Sequence, residues 1–579
     1  MKKVLLYSAF ALASLTMSTG CGDNFLELTP VSSTSEGTLS TPEGVDYLLT
    51  GAYSTLNSML SSAGGMGEAS LTNWVWGDIV GGDANKGSTA SDQPDLTQLE
   101  TWSWSSENGY IKNRWDAVYE SVKRCNNVIS LANKLADQLP NAADIIAQAQ
   151  FLKGFWMFEA IRIYGPAIPY VSVEDYEAST DPQVSNVDES GNYIYIWDKV
   201  AQDLIDAAND LPETWDKVEA DLKAAASALP ATRPSGQYGR ATSWQAKAVL
   251  AKFYVYWSSP YDGSAGYGTG NKWTEVAGIL DDIIANGKDA KGKKYQLADT
   301  YAALWHHETS DWTGESVFDV QFTFNGTTSQ TASPHHTHAT EFSGALGKGG
   351  WGFYQPSYEF VNSHIVDANG LPVSVAEYTA HAPLTPLASS NPVTDLSVYT
   401  DPRLDVNAGR MGVPYLDFGK TPDMSFVRDY TNGGMYVNKK GHAWNSERSS
   451  YPTTHPTSTA VNYHIIRFAD ILLWRAEIAV NEGDLATALK YINQVRSRAA
   501  NYYVAAESGI TNGTYVMDDK VNGKTGVDAA ANYRIGLYPS FASAAEAREA
   551  LEREMRIEFG MEGRRWFDIA RWGKVAEVL

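Results

Sequence analysis

The sequence predicts a mainly α-helical fold: a stack of helix pairs followed by an irregular, loop-rich C-terminal portion carrying short strands. Three observations carry this. Apolar residues recur at the helical period over most of residues 42–305. The same pattern returns in two consecutive stretches after residue 465, separated by a few turn residues. Between about 306 and 462 the period fades and Gly, Ser, Thr, Pro and His take over.

Each element follows in order. Trp115, Val118, Tyr119, Val122 and Ile129 lie on one helical face, and Ile196, Val200, Leu204, Ala207 and Leu211 on another, with Pro212 as its stop. A third helix carries Trp273, Val276, Ala277, Leu280 and Ile284 and ends at Gly287, a residue suited to the C′ position. The stretches 151–165 and 244–257 are apolar on nearly every side, which predicts inner helices. Ile466, Ala469, Leu473, Ala476 and Val480, then Leu485, Ala488, Leu489, Ile492 and Val495, form a helical hairpin turning at Asn481–Asp484. Such pairs predict a tetratricopeptide-like stack without a strict 34-residue consensus. Within 306–462, Phe318, Val320, Phe322 and Phe324 alternate with Asp319, Gln321 and Thr323, which predicts a strand in an ordered insertion on the stack.

Of 579 residues, acids outnumber bases by 23, so the chain has no electrostatic footprint for nucleic acid or anionic lipid. Lys2 and Lys3 precede an apolar run from Val4 to Met17, the pattern of a signal peptide over residues 1–20. Small residues directly before Cys21 match a lipoprotein processing site, so Cys21 is the expected acylation site and membrane anchor. The second and last cysteine, Cys125, sits on a helical apolar stripe and reads as a buried, inert thiol. A disulfide framework is excluded for the processed chain.

No catalytic motif is complete. His307 and Glu308 begin an HExxH-like run, but Asp311 stands where the second zinc-binding histidine belongs. His336 and His338, with His335, are weak metal candidates lacking a third ligand, and only they would support a secreted metallo-hydrolase. DDKVNG (518–523) starts like a calcium loop but places Ala529 where a bidentate Glu is needed, leaving a low-affinity structural calcium site as the sole cofactor reading. Aromatic residues in loops are the remaining signal. Trp74 and Trp76 precede Asp83 and Asn85 in LTNWVWGDIVGGDANKG (71–87), and Trp351 and Tyr354 lie in GGWGFYQPS (349–357). Rings that stack on a sugar's C–H face beside acids and amides that bind its hydroxyls predict a neutral carbohydrate site at these six residues.

Several segments resemble one family along nearly the whole chain: CGDNFLELTP (21–30), WDAVYESVKRCNNVI (115–129), AQAQFLKGFWMFEAIRIYGPAIPY (147–170), GRATSWQAKAVLAKFYVYW (239–257), DPRL (401–404) and residues 465–499. With the C-terminal EFGMEGRRWFDIARWGKV (558–575), they resemble the SusD/RagB family of outer-membrane nutrient-binding lipoproteins. Lys153 and Gly154 depart from the family's Arg and Ala, and the family pattern continues into a proline-containing tail past the position of Leu579. The resemblance implies a helical region over 21–235 and a second region over 236–579 that holds the insertion and the C-terminal signature. It implies a non-enzymatic, outward-facing lipoprotein of the cell outer membrane that captures oligosaccharides, or peptides in some members, as a lid over a SusC-like TonB-dependent transporter. Trp351 matches a position of the family's aromatic arc, whereas no aromatic follows Trp76 in the loop 76–94, so starch specificity is not implied. A pure helical-repeat scaffold without a small ligand is the remaining alternative. In the C-terminal stretch, Glu558 and Glu562, and Arg564 and Asp568, are expected as i,i+4 pairs and Asp568 with Arg571 as an i,i+3 pair, with Gly563 breaking the helix. That makes the stretch scaffolding.

Overall fold

Side-chain caps set the start of most long helices in the computed structural model. It describes residues 39–57, 70–165, 168–179, 223–226, 228–260, 271–322, 351–390, 392–416, 421–442, 461–500 and 530–579, with short pieces at 182, 184, 418, 515–517 and 525–526. Helix α1 (Pro42–Tyr53) is capped by Thr41, α2 (Gly109–Lys134) by Asn108, and α4 (Ser243–Trp257) by a reciprocal Thr242 and Gln245 box. Between them runs α3 (Ala142–Tyr164), and after them α5 (Trp273–Asn286). Near the C-terminus come α6 (Phe468–Glu482), α7 (Leu485–Ala499), α8 (Ala544–Glu558) and α9 (Arg565–Arg571).

These helices pack as a chain of pairs. Helix α2 lies along α3, α4 along α5 and α6 along α7, while α3 touches α4 and α5 touches α6. Each pair therefore buries the face its predecessor leaves open, the logic of a tetratricopeptide-like stack. Helix α1 covers α2 and α3, and α8 closes the far end against α6 and α7. As expected, α3 and α4 are inner helices: every residue from Phe151 to Arg162 and from Ala248 to Trp257 is buried. The α6–α7 turn tightens to Gly483, at φ +77°, and Asp484, whose carboxylate caps Thr487 N–H at 3.0 Å. Gly287 does end α5, but at φ −59°. Its need for glycine is space, since a Cβ there would lie 2.5 Å from the Ile283 carbonyl oxygen.

The loop-rich portion contributes two ribbons that matter for function. Strand β1 (Ala84–Gly87) pairs antiparallel with β3 (Phe353–Pro356), and β2 (Ser316–Val320) with β4 (Tyr463–Arg467). Strand β2 is shorter than its alternation predicts, ending before Phe322. Asp319 does not face water either: its side chain is 4% exposed and lies 2.9 Å from His464 Nδ1.

The C-terminal stretch is scaffolding, though wired differently from its helical spacing. Helix α8 ends at Glu558, so Glu558 and Glu562 share no helix; they converge on Arg467 at 2.8 and 2.9 Å. Arg564 pairs with Asp470 at 2.9 Å and not with Asp568, because it precedes α9 and points toward α6. Asp568 and Arg571 do meet, at 3.0 Å. Arg403 of DPRL joins the same buried system through Asp401, Glu554 and Glu558 at 2.7–2.8 Å. Cys125 is fully buried.

Residues 1–38, 185–222, 323–350 and 518–524 lie outside the described residues. With them go Cys21, the helix expected at 196–211, His335, His336 and His338, and the start of the calcium-like loop.

Candidate functional site

The two tryptophan-bearing loops meet because β1 and β3 pair. In their register Ala84 faces Pro356, Asn85 faces Gln355 and Gly87 faces Phe353, so Trp351 and the turn after Gly87 emerge at the same end of the ribbon. Ser88 N–H donates to the Gly352 carbonyl and extends the pairing beyond the strands. A third segment closes the rim. Asn432 Nδ2 donates to the Gly87 carbonyl at 2.6 Å, Asn85 Nδ2 to the Gly433 carbonyl at 3.2 Å, and Arg428 Nη1 to the Trp351 carbonyl at 2.9 Å. Gly433 allows this approach, since a Cβ there would stand 1.7 Å from Gln355 Oε1.

The turn after β1 is built around a cation. Lys86 Nζ donates to the carbonyls of Thr89 and Asp92 at 2.8 and 2.6 Å, and Ser88 Oγ donates to Asp92 Oδ2 at 2.7 Å. Burial pulls the Lys86 ammonium below its usual value, against the attraction of Glu100 and Asp92. Asp92 also lies 3.7 Å from Arg428, and both remain partly exposed. Beside the half-buried ring of Trp351, this rim offers a carboxylate, a guanidinium and amides, a set able to bind hydroxyl groups next to a stacked ring.

The six residues predicted to bind ligand divide accordingly. Trp351 and Asn85 stand at the rim, both half-buried. Trp74, Tyr354 and Asp83 are 1%, 3% and 2% exposed, which leaves no face for a ligand, so their expected role is corrected to support. The reason is local. The Trp74 and Tyr354 rings pack edge to face at 5.6 Å, Tyr354 O–H donates to Asp78 at 2.5 Å, and Asp83 accepts from Arg556 of α8. Asp78 also accepts from the backbone N–H groups of Gly563 and Arg564 at 2.8 and 3.0 Å, locking the loop to the C-terminal signature. Burial and the neighbouring Asp83 push the Asp78 carboxyl up to about 6, although these hydrogen bonds hold it down. Trp76 is 6% exposed and turns away from the rim to line a separate cavity. Asp92, Arg428 and Asn432 were missed by sequence reasoning; Asp92 lies in the loop 76–94 without a ring beside it, and nothing local marks Arg428 or Asn432, which reach the Trp351 carbonyl across 77 positions and the Gly87 carbonyl across 345. Among the described residues no three His, Cys, Asp or Glu side chains cluster to hold a metal, and no helix is long and apolar enough to cross a membrane.

Comparison with known proteins agrees with this architecture. A family model described as the SusD family matches residues 314–579, and one described as "Starch-binding associating with outer membrane" matches residues 24–255. Together the two models span most of the chain, which belongs to the SusD/RagB family. It is similar to SusD-like protein P2 of Formosa agariphila, at 22% identity over 97% of this chain and 89% of that one. A SusD superfamily protein from Bacteroides vulgatus shares the fold with a TM-score of 0.61 at 19% identity, covering 93% of this chain and 90% of the other. The surface glycan-binding protein A of Bacteroides uniformis does so with a TM-score of 0.58 at 17% identity, covering 93% and 89%.

Proposed function

We propose that this protein is a cell-surface lipoprotein, anchored through acylated Cys21, that captures oligosaccharides and hands them to a SusC-like TonB-dependent transporter. It performs no catalysis and needs no cofactor. The observation that carries the ligand class is the rim itself: the Trp351 ring stands beside Asp92, Arg428, Asn432 and Asn85, held by the β1–β3 ribbon. A ring that supplies apolar stacking beside a few fixed polar groups suits a sugar better than an extended peptide, whose backbone would seek a free strand edge. The name of the Bacteroides uniformis neighbour, a surface glycan-binding protein, supports the same class. Membership of the family supports the anchor and the transporter partner.

Calorimetry of the processed protein against a panel of oligosaccharides tests the reading. Trp351→Ala is expected to weaken the best glycan by about 1–3 kcal/mol without lowering the melting temperature. Unchanged affinity removes Trp351 from the site, and a protein that binds peptides but no glycan overturns the proposal.

A further inference from the structure

A cavity of about 590 Å³ opens on the other side of Trp76, bounded by the rings of Trp76, Trp104, Trp115, Tyr164 and Trp566. Packed protein interiors tolerate few voids larger than a water molecule, and this volume falls within the range of small-molecule sites. The walls are fixed. Trp115 and Tyr164 meet edge to face at 5.1 Å, and Tyr164 O–H donates to the Ile111 carbonyl at 2.8 Å. Trp566 is held edge to face at 4.7 Å by Trp102, whose indole N–H donates to the Val80 carbonyl at 3.2 Å. Trp104, Trp115, Tyr164 and Trp566 are each only half-buried although all belong to the edge of the core, as expected of rings with one face on the cavity.

The chemistry of the walls selects the ligand. Besides the rings, four branched aliphatic side chains line the cavity, and its polar side chains, Ser106 and Lys112, are both exposed, which puts them at the open side. A sugar inserted here would bury hydroxyls against walls that are mainly apolar, at a cost of roughly 1–3 kcal/mol for each left without a hydrogen-bond partner. An aromatic ring loses nothing and gains edge-to-face contacts with several neighbours. Among the described residues the Lys112 ammonium pairs with Asp116 one turn along, in an exposed pair of the kind that contributes little, so it can turn to an incoming anion.

We propose that this cavity is a second ligand site, distinct from the Trp351 rim, which takes a small planar aromatic compound carrying an anionic substituent. The ring enters between Trp104, Trp115 and Trp566, and the anion stays at the opening beside Lys112.

Calorimetric titration of the full chain with trans-cinnamate, benzyl alcohol and glucose tests this. Cinnamate is expected to bind the wild type more tightly than benzyl alcohol, and glucose not to bind in the cavity. Trp104→Ala is expected to weaken cinnamate by about tenfold or more, as the loss of one ring contact implies. Ile111→Trp, which fills the cavity while keeping every ring, is expected to abolish it, and Lys112→Ala to weaken cinnamate while leaving benzyl alcohol unchanged. Thermal melts identify any variant that fails to fold, and the Trp104 and Ile111 variants approach the cavity independently. Failure of both aromatic probes to bind, undiminished binding in Ile111→Trp, or competition of glucose with cinnamate overturns the proposal. Trp351→Ala is expected to leave cinnamate binding intact while it weakens the glycan, so this site and the rim stand or fall separately.

Discussion

Single residues show where loop chemistry and core chemistry part. Trp74 and Tyr354 have the flanking sequence of ligand-stacking rings, yet both serve as wedges, whereas Trp351, two residues before a strand, stays at the surface. Nothing in a ring's neighbours along the chain tells these roles apart, because the two loops bury each other: Tyr354 donates to Asp78, 276 positions away, and packs its ring against Trp74. The same holds for His464, which the sequence does not single out. Its Nδ1 lies 2.9 Å from an Asp319 oxygen, an ion pair when the ring is protonated, and its Nε2 makes a 3.0 Å hydrogen bond to the Leu304 carbonyl. Burial opposes that charge, but Asp319 and the carbonyl outweigh it and hold the ring above its usual value. A raised folded-state value stabilises fully below the unfolded value, about 6.5, and the contribution fades as pH rises through the folded value. Urea midpoints measured from pH 6 to 9 are therefore expected to fall in the wild type and to fall less in His464→Gln. Parallel curves would show that His464 is neutral in the fold.

At the scale of elements, the helices named from the sequence within the described residues were legible because each reports itself locally through its apolar period. The ribbons were not, since β1 and β3 are four residues each and pair across more than 260 positions. The break at Gly563 was visible, but its cause is tertiary. Gly563 adopts φ +69° with its Cα against the segment before Trp74, and an added Cβ would fall 1.8 Å from the Thr72 carbonyl oxygen. Gly77 faces it at equally close range, its own Cβ position lying 2.0 Å from the Gly563 carbonyl oxygen. Two glycines thus let the Trp74 segment and the C-terminal signature touch backbone to backbone, which brings Asp78 within reach of the Gly563 and Arg564 N–H groups. Gly563→Ala combines a left-handed backbone with a clash against main chain, and is expected to cost about 3 kcal/mol or more. Chemical denaturation checks this. Gly51→Ala, in helix α1 with open space around the new methyl, is the control and should be neutral or mildly stabilising.

Across the whole molecule, buried ions tie the helical stack to the loop-rich portion. Arg467, at the end of β4, binds Glu315 before β2, Glu558 at the end of α8, and Glu562 beyond it, at 2.6–2.9 Å. Arg498 of α7 reaches the same Glu315 and Glu558, and Lys440 of the loop-rich portion lies 2.8 Å from Glu562. The family's C-terminal signature is therefore legible as a motif but not as a mechanism: its acids matter because arginines from three distant segments converge on them. Burial alone would favour neutral acids here, yet Arg467, Lys440 and Arg564 hold Glu562 down at about 2, and Arg162, Lys252 and Arg114 do the same for Glu159. A depressed folded-state value contributes stability above the unfolded value, about 4.3, and that contribution is lost as pH falls toward the folded value. The fold should thus resist acid to about pH 4 and lose stability progressively between there and about pH 2. Arg467→Met leaves the carboxylates of Glu315, Glu558 and Glu562 short of a shared partner, which costs about 3–5 kcal/mol for a buried system of this kind. In the variant these acids need less acid to protonate, so its unfolding midpoint, followed by circular dichroism against pH, should move toward neutrality. If wild type and variant unfold at the same pH, the network does not hold the two portions together against acid.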